Sequence, residues 1–148
     1  MSYFGKISSP KKKSTNIDLL TKADVESEEY LINQIQATYP DHSILSEESG
    51  DLSTNSEYLW VIDPLDGTTN FTHNLPIFAV SIGLIKKGKR TLCAVVYNPA
   101  ANKCFYAEQN KGSFLDGVKL KCTSSNTLSN SLLVTGLIFV QNWSPVKA

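Results

Sequence analysis

The sequence lacks the features that set apart disordered, fibrous and membrane-spanning proteins. Its 148 residues carry a formal net charge of zero, with 41% hydrophobic and 19% charged residues. This composition excludes a disordered chain, which needs low hydrophobicity and high net charge, and collagen-like or coiled-coil repeats. Apolar runs such as residues 132–134 and 137–140 are far shorter than the roughly 20 residues that span a bilayer. The length therefore suits about one domain with its own core.

Paired cysteines are also missing. Cys93, Cys104 and Cys122 are scattered and form no Cys-x-x-Cys pair, which disfavours a disulfide framework or a zinc site. The first 24 residues contain no apolar stretch of the kind found in secretory signal peptides. We therefore expect a cytoplasmic protein whose cysteines are free thiols.

Basic residues are absent from one long segment of the chain. Residues 24–66 contain 11 of the 14 acidic residues and no Lys or Arg, which gives this segment a formal charge of −11. Such a run is typical either of a solvated acidic face or of a carboxylate cluster that binds a cation, and composition leaves both interpretations open. The acidic segment argues against a nucleic-acid partner, and we interpret the three lysines at residues 11–13 as part of a solvated loop.

One amphipathic helix is predicted near the start of the chain. We expect Asp24 to cap it and Tyr39 to end it, with apolar residues between them at helical spacing. Residues 17–21 are predicted as a short strand or an approach to this helix. Three glutamates fall in its predicted first turns, where the helix dipole favours negative charge, and we interpret them as a solvated face: Glu26, Glu28 and Glu29.

The rest of the sequence predicts strands. The apolar run at residues 58–62 has the length of a strand buried on both faces, and residues 51–57 are predicted as a polar loop. Other strands, separated by turn signals, are predicted at residues 43–45, 78–85, 91–97, 103–107, 113–115, 118–122 and 131–135. One or two helices followed by many strands indicate an α+β fold, in which helices pack on a mostly antiparallel or mixed sheet.

Two carboxylates follow the apolar run at residues 58–62. Asp63 and Asp66 are three residues apart, and Pro64 restrains the backbone between them. This spacing can direct both side chains and the Leu65 carbonyl toward one point. Oxygen ligands of this kind suit Mg²⁺, which prefers few carboxylates together with waters and phosphate oxygens. No His or Cys cluster is near in sequence, which disfavours zinc.

A glycine and two threonines come directly after these carboxylates. Gly67 allows close approach of the backbone to a ligand, and the amides of Gly67, Thr68 and Thr69 predict an anion-binding nest at the start of a short helix. Glu47 and Glu48 add carboxylates from another loop. An Asp-Pro turn whose following helix is capped by Thr68 would explain the same residues without a ligand, and the motif alone leaves this alternative open.

The full set of motifs is more specific. Residues 63–71, Asp-Pro-Leu-Asp-Gly-Thr-Thr-Asn-Phe, resemble the signature of the inositol monophosphatase family of Mg²⁺-dependent, Li⁺-sensitive phosphatases. Residues 18–24 resemble that family's upstream Asp-x-x-Thr-x-x-Asp element, and residues 44–50 its paired-glutamate loop. Residues 78–84 and 96–99 also fit the family pattern, so the resemblance extends from about Phe4 to Gly136.

The resemblance implies a role for each matching residue. The first Mg²⁺ would be held by Glu47, Asp63 and the Leu65 carbonyl, and a second by Asp63 and Asp66. The residues that would contact the substrate are Glu47, Leu65, Asp66, Gly67 and Thr68, with phosphate held at Gly67 and Thr68. Asp24 and Thr68, assisted by Glu47, would orient and deprotonate the attacking water, whereas Glu48 would only shape its loop.

The activity implied is hydrolysis of a small phosphate monoester such as inositol 1-phosphate, with two or three Mg²⁺ ions and no phosphoenzyme. The implied fold is the N-terminal part of the layered α/β sugar-phosphatase fold, and a homodimer is one expected assembly. No nucleic-acid or membrane partner is expected.

The chain departs from the family pattern in length. Members are nearly twice as long, residues 137–148 do not follow the pattern, and a later Trp-Asp element is missing. We therefore expect residues 1–148 to form one partial domain, the N-terminal half, much less active than a full-length member. The alternatives are a catalytically incomplete fragment that binds metal or self-associates, and a related phosphatase acting on a sugar bisphosphate, a nucleotide or histidinol phosphate.

Overall fold

The structure is a computed structural model that describes residues 3–6, 13–88 and 90–134, without the side chains of residues 13–21. Its helices are α1 (Lys13–Thr38), α2 (Thr68–Thr72) and a 3₁₀ turn at Leu128–Asn130. Its strands are β1 (Ser43–Ser46), β2 (Gly50–Leu52), β3 (Tyr58–Asp66), β4 (Ala79–Lys86), β5 (Thr91–Asn98), β6 (Lys103–Glu108), β7 (Gly112–Leu115) and β8 (Val118–Lys119). Within the described ranges, no helix is both long and apolar enough to cross a membrane.

The eight strands form one mixed sheet in the order β2-β1-β3-β4-β5-β6-β7-β8. Only the β1–β3 pair is parallel among the described strands, and the other neighbours are antiparallel. Tight turns join the later strands. Asp116 and Gly117, between β7 and β8, both have positive φ, as a two-residue hairpin turn requires. The predicted α+β fold with a mostly antiparallel sheet is therefore confirmed.

Helix α1 covers one face of the sheet through two small apolar clusters. In the first, Ile35 of α1 packs with Ile44 of β1 and Ile62 of β3. In the second, Ala23 of α1 packs with Leu65 at the end of β3 and with two phenylalanines, Phe71 and Phe78. Because both clusters join α1 to β3, the core fixes the helix against the strand that ends at Asp66.

Several predicted boundaries were wrong. Helix α1 begins at Lys13 rather than at Asp24, so Asp24 is not a cap, and residues 17–21 are helical. Residues 50–52 pair with β1 as a strand instead of starting a polar loop. The predicted last strand is absent at residues 131–134, and Thr135 lies outside the described residues.

The run at residues 58–62 is less buried than predicted. Only Ile62 is buried, and the other four residues are half-buried. The reason is that α1 covers one face of the sheet, whereas the opposite face is open to solvent. On that face the exposed fractions of Leu45, Val96 and Phe105 are 40–43%. The cysteines are free, with Cys93 and Cys104 half-buried and Cys122 exposed.

Candidate active site

The first part of the site is the irregular end of β3. The pairing of β3 with β4 shifts register between Asp63 and Asp66, as a bulge does when it redirects side chains at the end of a strand. The backbone N–H of Leu65 donates to Oδ1 of Asp63 at 3.1 Å. Pro64 is fully buried and Leu65 lies in the core, while Asp66 is exposed. The two carboxylates therefore stand on a backbone segment that is anchored between them.

The second part is the turn that follows β1. Because β1 and β3 are parallel and Ser46 pairs with Ile62, the residues that follow them, Glu47 and Asp63, lie next to each other where β1 ends. The pKa of Glu47 is raised, first by the charge of Asp63 and then by burial and a hydrogen bond with Asp63. The fold therefore brings together two carboxylates that are 16 positions apart in sequence.

The pKa of Asp63 is also raised. Burial is the main cause and the charge of Asp66 adds to it, although the hydrogen bond from the Leu65 N–H acts in the opposite direction. Repulsion among Glu47, Asp63 and Asp66 is what a bound cation removes, because an opposite charge favours the ionised carboxylates.

The third part is Asp24 in the middle of α1. Its side chain is buried, and its Oδ1 atom has no hydrogen-bond partner in the described part of the chain. Burial raises its pKa to about 6, and the charges of Glu48, Glu47, Asp63 and Glu28 contribute to the rise in that order. A buried carboxylate oxygen without a hydrogen-bond partner is costly, which makes Asp24 a functional candidate on physical grounds.

Glu28 also lies at the site, although the sequence predicted a solvated residue. It is only 2% exposed. Its Oε2 accepts bonds from the Ser46 hydroxyl at 2.6 Å and the Glu48 N–H at 3.0 Å. Its Oε1 accepts from the Ser49 N–H at 2.8 Å and from the Ser49 hydroxyl. Burial raises the pKa of Glu28, but these donors outweigh burial and hold that pKa below its usual value.

A sequence signal for Glu28 did exist. It lies four residues after Asp24, which places both on one face of a helix. The prediction failed because it began the helix at Asp24, which put Glu28 in a first turn where a solvated acid is ordinary. With the helix beginning at Lys13, both acids lie in its interior, and the dipole no longer explains them.

Gly67 shapes the turn between β3 and α2. It has φ +87° and is the N-cap of α2, where no side chain caps the helix. The predicted alternative of capping by Thr68 is therefore wrong, since Thr68 is the first residue of the helix. A Cβ at Gly67 would lie 3.0 Å from the Ile77 carbonyl oxygen, which also accepts a bond from the Asn70 side-chain amide at 2.7 Å. Only glycine fits this approach of two backbone segments.

Gly67→Ala is expected to lower the free energy of unfolding by about 2–4 kcal/mol, from left-handed backbone strain and overpacking against Ile77. Gly50→Ala is the matched control, because Gly50 has φ +71° and no atom lies within 4 Å of the place where its Cβ would stand. The control retains only the backbone strain, so urea unfolding should show the smaller loss. Equal losses in the two variants would contradict the close approach at Ile77.

The carboxylates of Glu47 and Asp63 suit Mg²⁺ as a ligand pair. Among the residues that the structure describes, no three His, Cys, Asp or Glu side chains converge as ligands of one ion. Mg²⁺ does not require three, because it is held by one or two carboxylates and completes its octahedron with waters and substrate oxygens. The interacting pair Glu47 and Asp63, with only oxygen donors, fits that chemistry.

Comparisons with known proteins show the family to which the chain is similar. The model of the inositol monophosphatase family matches residues 1–147. The chain is 45% identical over 129 residues to Nus factor SuhB of Escherichia coli, covering 86% of this chain and 48% of that protein. It is 40% identical over 139 residues to inositol-1-monophosphatase of Synechocystis, covering 93% and 48%.

One solved structure is similar in fold and in sequence. The extragenic suppressor protein SuhB of Bartonella henselae matches with a TM-score of 0.70 and 36% identity, covering 73% of this chain and 45% of that one. The chain thus spans about half the length of the curated relatives it matches.

Proposed function

Because the chain belongs to the inositol monophosphatase family, we propose that it carries the water-activating and metal-binding part of a Mg²⁺-dependent phosphate-monoester hydrolase. The observation that carries this proposal is the meeting of Glu47 and Asp63 where β1 ends beside β3, near Asp24, whose buried Oδ1 has no hydrogen-bond partner among the described residues. These three carboxylates, two from the sheet and one from α1, repel one another; this repulsion destabilises the fold, and a bound cation would relieve it.

The metal ligands are proposed residue by residue. Glu47, Asp63 and the Leu65 carbonyl would hold one Mg²⁺, and Asp63 with Asp66 a second. When bound, Mg²⁺ acts as a Lewis acid toward water and phosphate oxygens. The anchored backbone of residues 63–65, with its bond from the Leu65 N–H to Asp63, would keep these donors in place.

The remaining residues would handle the proton and the phosphate. Asp24 would accept a proton from the attacking water at Oδ1, since a general base works best with a pKa near the working pH and burial raises the pKa of Asp24 to about 6. Thr68 would orient the same water. Gly67 would let the phosphate oxygens approach the backbone at the start of α2, because it carries no Cβ.

The substrate proposed is inositol 1-phosphate, with a sugar bisphosphate, a nucleotide or histidinol phosphate as alternatives within the same chemistry. The name of the Synechocystis relative supports the inositol ester. A cytoplasmic location is proposed on the three cysteines that form no disulfide.

Phosphate release is the direct test. Purified protein with Mg²⁺ and inositol 1-phosphate should release phosphate, and chelation by EDTA or addition of Li⁺ should suppress the release. Parallel assays with fructose 1,6-bisphosphate, adenosine 2′-phosphate and histidinol phosphate rank the substrate classes. A folded protein that releases no phosphate from any of them at saturating Mg²⁺ would contradict the proposal.

A second candidate function is non-catalytic self-association. The observation in its favour is the sheet face opposite α1, where Leu45, Val96 and Phe105 are exposed; exposed apolar patches often mark interfaces. Protein that binds Mg²⁺, shows no turnover and sediments as a dimer would favour this candidate over the hydrolase.

A further inference from the structure

Glu28 is a buried carboxylate whose hydrogen-bond donors, among the described residues, all come from a single turn. The hydroxyls of Ser46 and Ser49 and the backbone N–H groups of Glu48 and Ser49 donate to its two oxygens. Burying a carboxylate is costly unless such donors compensate it. Because four donors come from one stretch of four consecutive residues, Glu28 fixes this turn against helix α1.

This hydrogen-bond set excludes two simpler roles for Glu28. A solvated acid would be exposed, whereas Glu28 is 2% exposed. A metal ligand needs free lone pairs directed at the ion, whereas both oxygens of Glu28 accept two bonds each. The remaining role is to act on the turn that it holds.

The residue that this turn presents is Glu47. Ser46 on one side of it donates to Glu28 through its hydroxyl, and Glu48 on the other side donates through its backbone N–H. The peptide unit that follows Glu47 is thereby fixed in orientation. Because Ser46 and Glu48 both donate hydrogen bonds to Glu28, helix α1 sets the position of Glu47 beside Asp63.

The same helix carries Asp24. Asp24 and Glu28 are one helical turn apart on one face of α1, and both are buried. Any shift of the turn relative to α1 therefore changes the distance between Asp24 and Glu47. Glu28 holds that distance by joining the two elements directly, in addition to the apolar contacts of Ile35 and Ile44.

We propose that Glu28 is a positioning residue that sets Glu47 for the metal by fixing the turn at residues 46–49 to helix α1. The proposal rests on the proposed function, because it assigns Glu47 as a metal ligand. Partners that orient metal ligands typically contribute 10- to 100-fold to metal affinity. Glu28 is expected to contribute in that range while touching neither the metal nor the substrate.

The test is Mg²⁺ binding by calorimetry to Glu28→Gln. The amide keeps the shape of the side chain but turns one acceptor into a donor that faces N–H and O–H groups. The dissociation constant for Mg²⁺ is expected to rise about 10- to 100-fold, and kcat at saturating Mg²⁺ is expected to recover toward that of the parent chain. Glu29→Gln is the matched control, since it is a neighbouring glutamate on α1 that is exposed, and it should bind Mg²⁺ like the parent.

Circular dichroism of each variant separates positioning from simple loss of structure. A purely structural role would lower the melting temperature and leave the Mg²⁺ affinity of the folded protein unchanged, and that result would overturn the proposal. If Glu28→Gln does not fold, Ser49→Ala is the variant to measure, because it removes one hydroxyl donor to Glu28 and keeps the bond from the Ser49 backbone N–H. A several-fold weaker Mg²⁺ affinity in Ser49→Ala supports the proposal, and an unchanged affinity overturns it. Absence of Mg²⁺ binding in the parent chain itself would instead refute the proposed function, and the positioning role with it.

Discussion

Asp63→Asn is expected to eliminate measurable Mg²⁺ binding and to lower phosphate release by about 100- to 1,000-fold, the loss typical when one group that stabilises transition-state charge is removed. Asp63 interacts with Glu47 on one side and with Asp66 on the other, so it is the residue that both proposed metal positions share. A neutral amide at this place removes the charge on which both positions depend.

The same substitution should leave the fold intact. The bond from the Leu65 N–H at 3.1 Å can be accepted by the amide oxygen of the variant as well as by the carboxylate. Loss of one of several repelling charges should also relieve the fold rather than strain it.

Asp41→Asn is the matched control for Asp63→Asn. Asp41 belongs to the same acidic segment but is exposed in the turn after α1, so its substitution changes the net charge equally and should leave Mg²⁺ binding unchanged. Calorimetry and phosphate release are measured on both variants, with circular dichroism as the check on folding. Mg²⁺ affinity in Asp63→Asn equal to that of the control would remove Asp63 from the metal site.

Asp24→Asn is expected to change activity and stability in opposite directions. Phosphate release should fall about 100- to 10,000-fold, since that is the usual contribution of a positioned general base. The free energy of unfolding without Mg²⁺ at pH 7 should rise by about 1–3 kcal/mol, because a shift of one pKa unit corresponds to about 1.4 kcal/mol and burial raises the pKa of Asp24 to about 6. Removal of a structurally important acid would lower both quantities together.

The pH dependence of stability tests the same assignment. The pKa of Asp24 is higher in the folded chain, at about 6 against 3.8 for the unperturbed group, so the folded state binds the proton more tightly. The stability that this proton contributes is fully present below about pH 4 and is lost as pH rises through 6. Glu47 and Asp63 act in the same direction, since the pKa of each is raised.

Asp24→Asn should therefore flatten the pH dependence of stability between about pH 4 and 7 without abolishing it. Glu29→Gln, on the same helix but exposed, should keep the parent profile. Urea unfolding of the metal-free chains at several pH values provides the measurement. An unchanged profile in Asp24→Asn would contradict the raised pKa of Asp24 in the folded chain.

The motif around Asp63 could be predicted from sequence because its residues are contiguous. The apolar run before it predicts a strand at residues 58–62, and Pro64 restrains the backbone that follows. The structure contains that strand and continues it to Asp66, with Asp63 and Asp66 on either side of a register shift. Local chemistry was sufficient because the backbone restraints act between near neighbours.

The burial of Glu28 could not be predicted from the residues near it in sequence. Its position four residues after Asp24 is visible in the sequence, but the predicted helix start lies 11 residues too late, and the dipole then explains all the glutamates alike. Its partners at residues 46–49 are 18–21 positions away. No periodicity within either segment indicates that contact.

The α+β fold, most of the strands and the oxygen-rich motif at residues 63–71 follow from the amino-acid sequence, because hydrophobic periodicity, turn residues and motif spacing act locally. Folding in three dimensions was needed to establish that β1 lies parallel to β3, that Asp24 is buried without a partner for Oδ1 among the described residues and that Glu28 holds the turn carrying Glu47. The physical reason is that the cost of burying each carboxylate depends on groups brought near it by folding, and those groups come from segments that are distant in the chain.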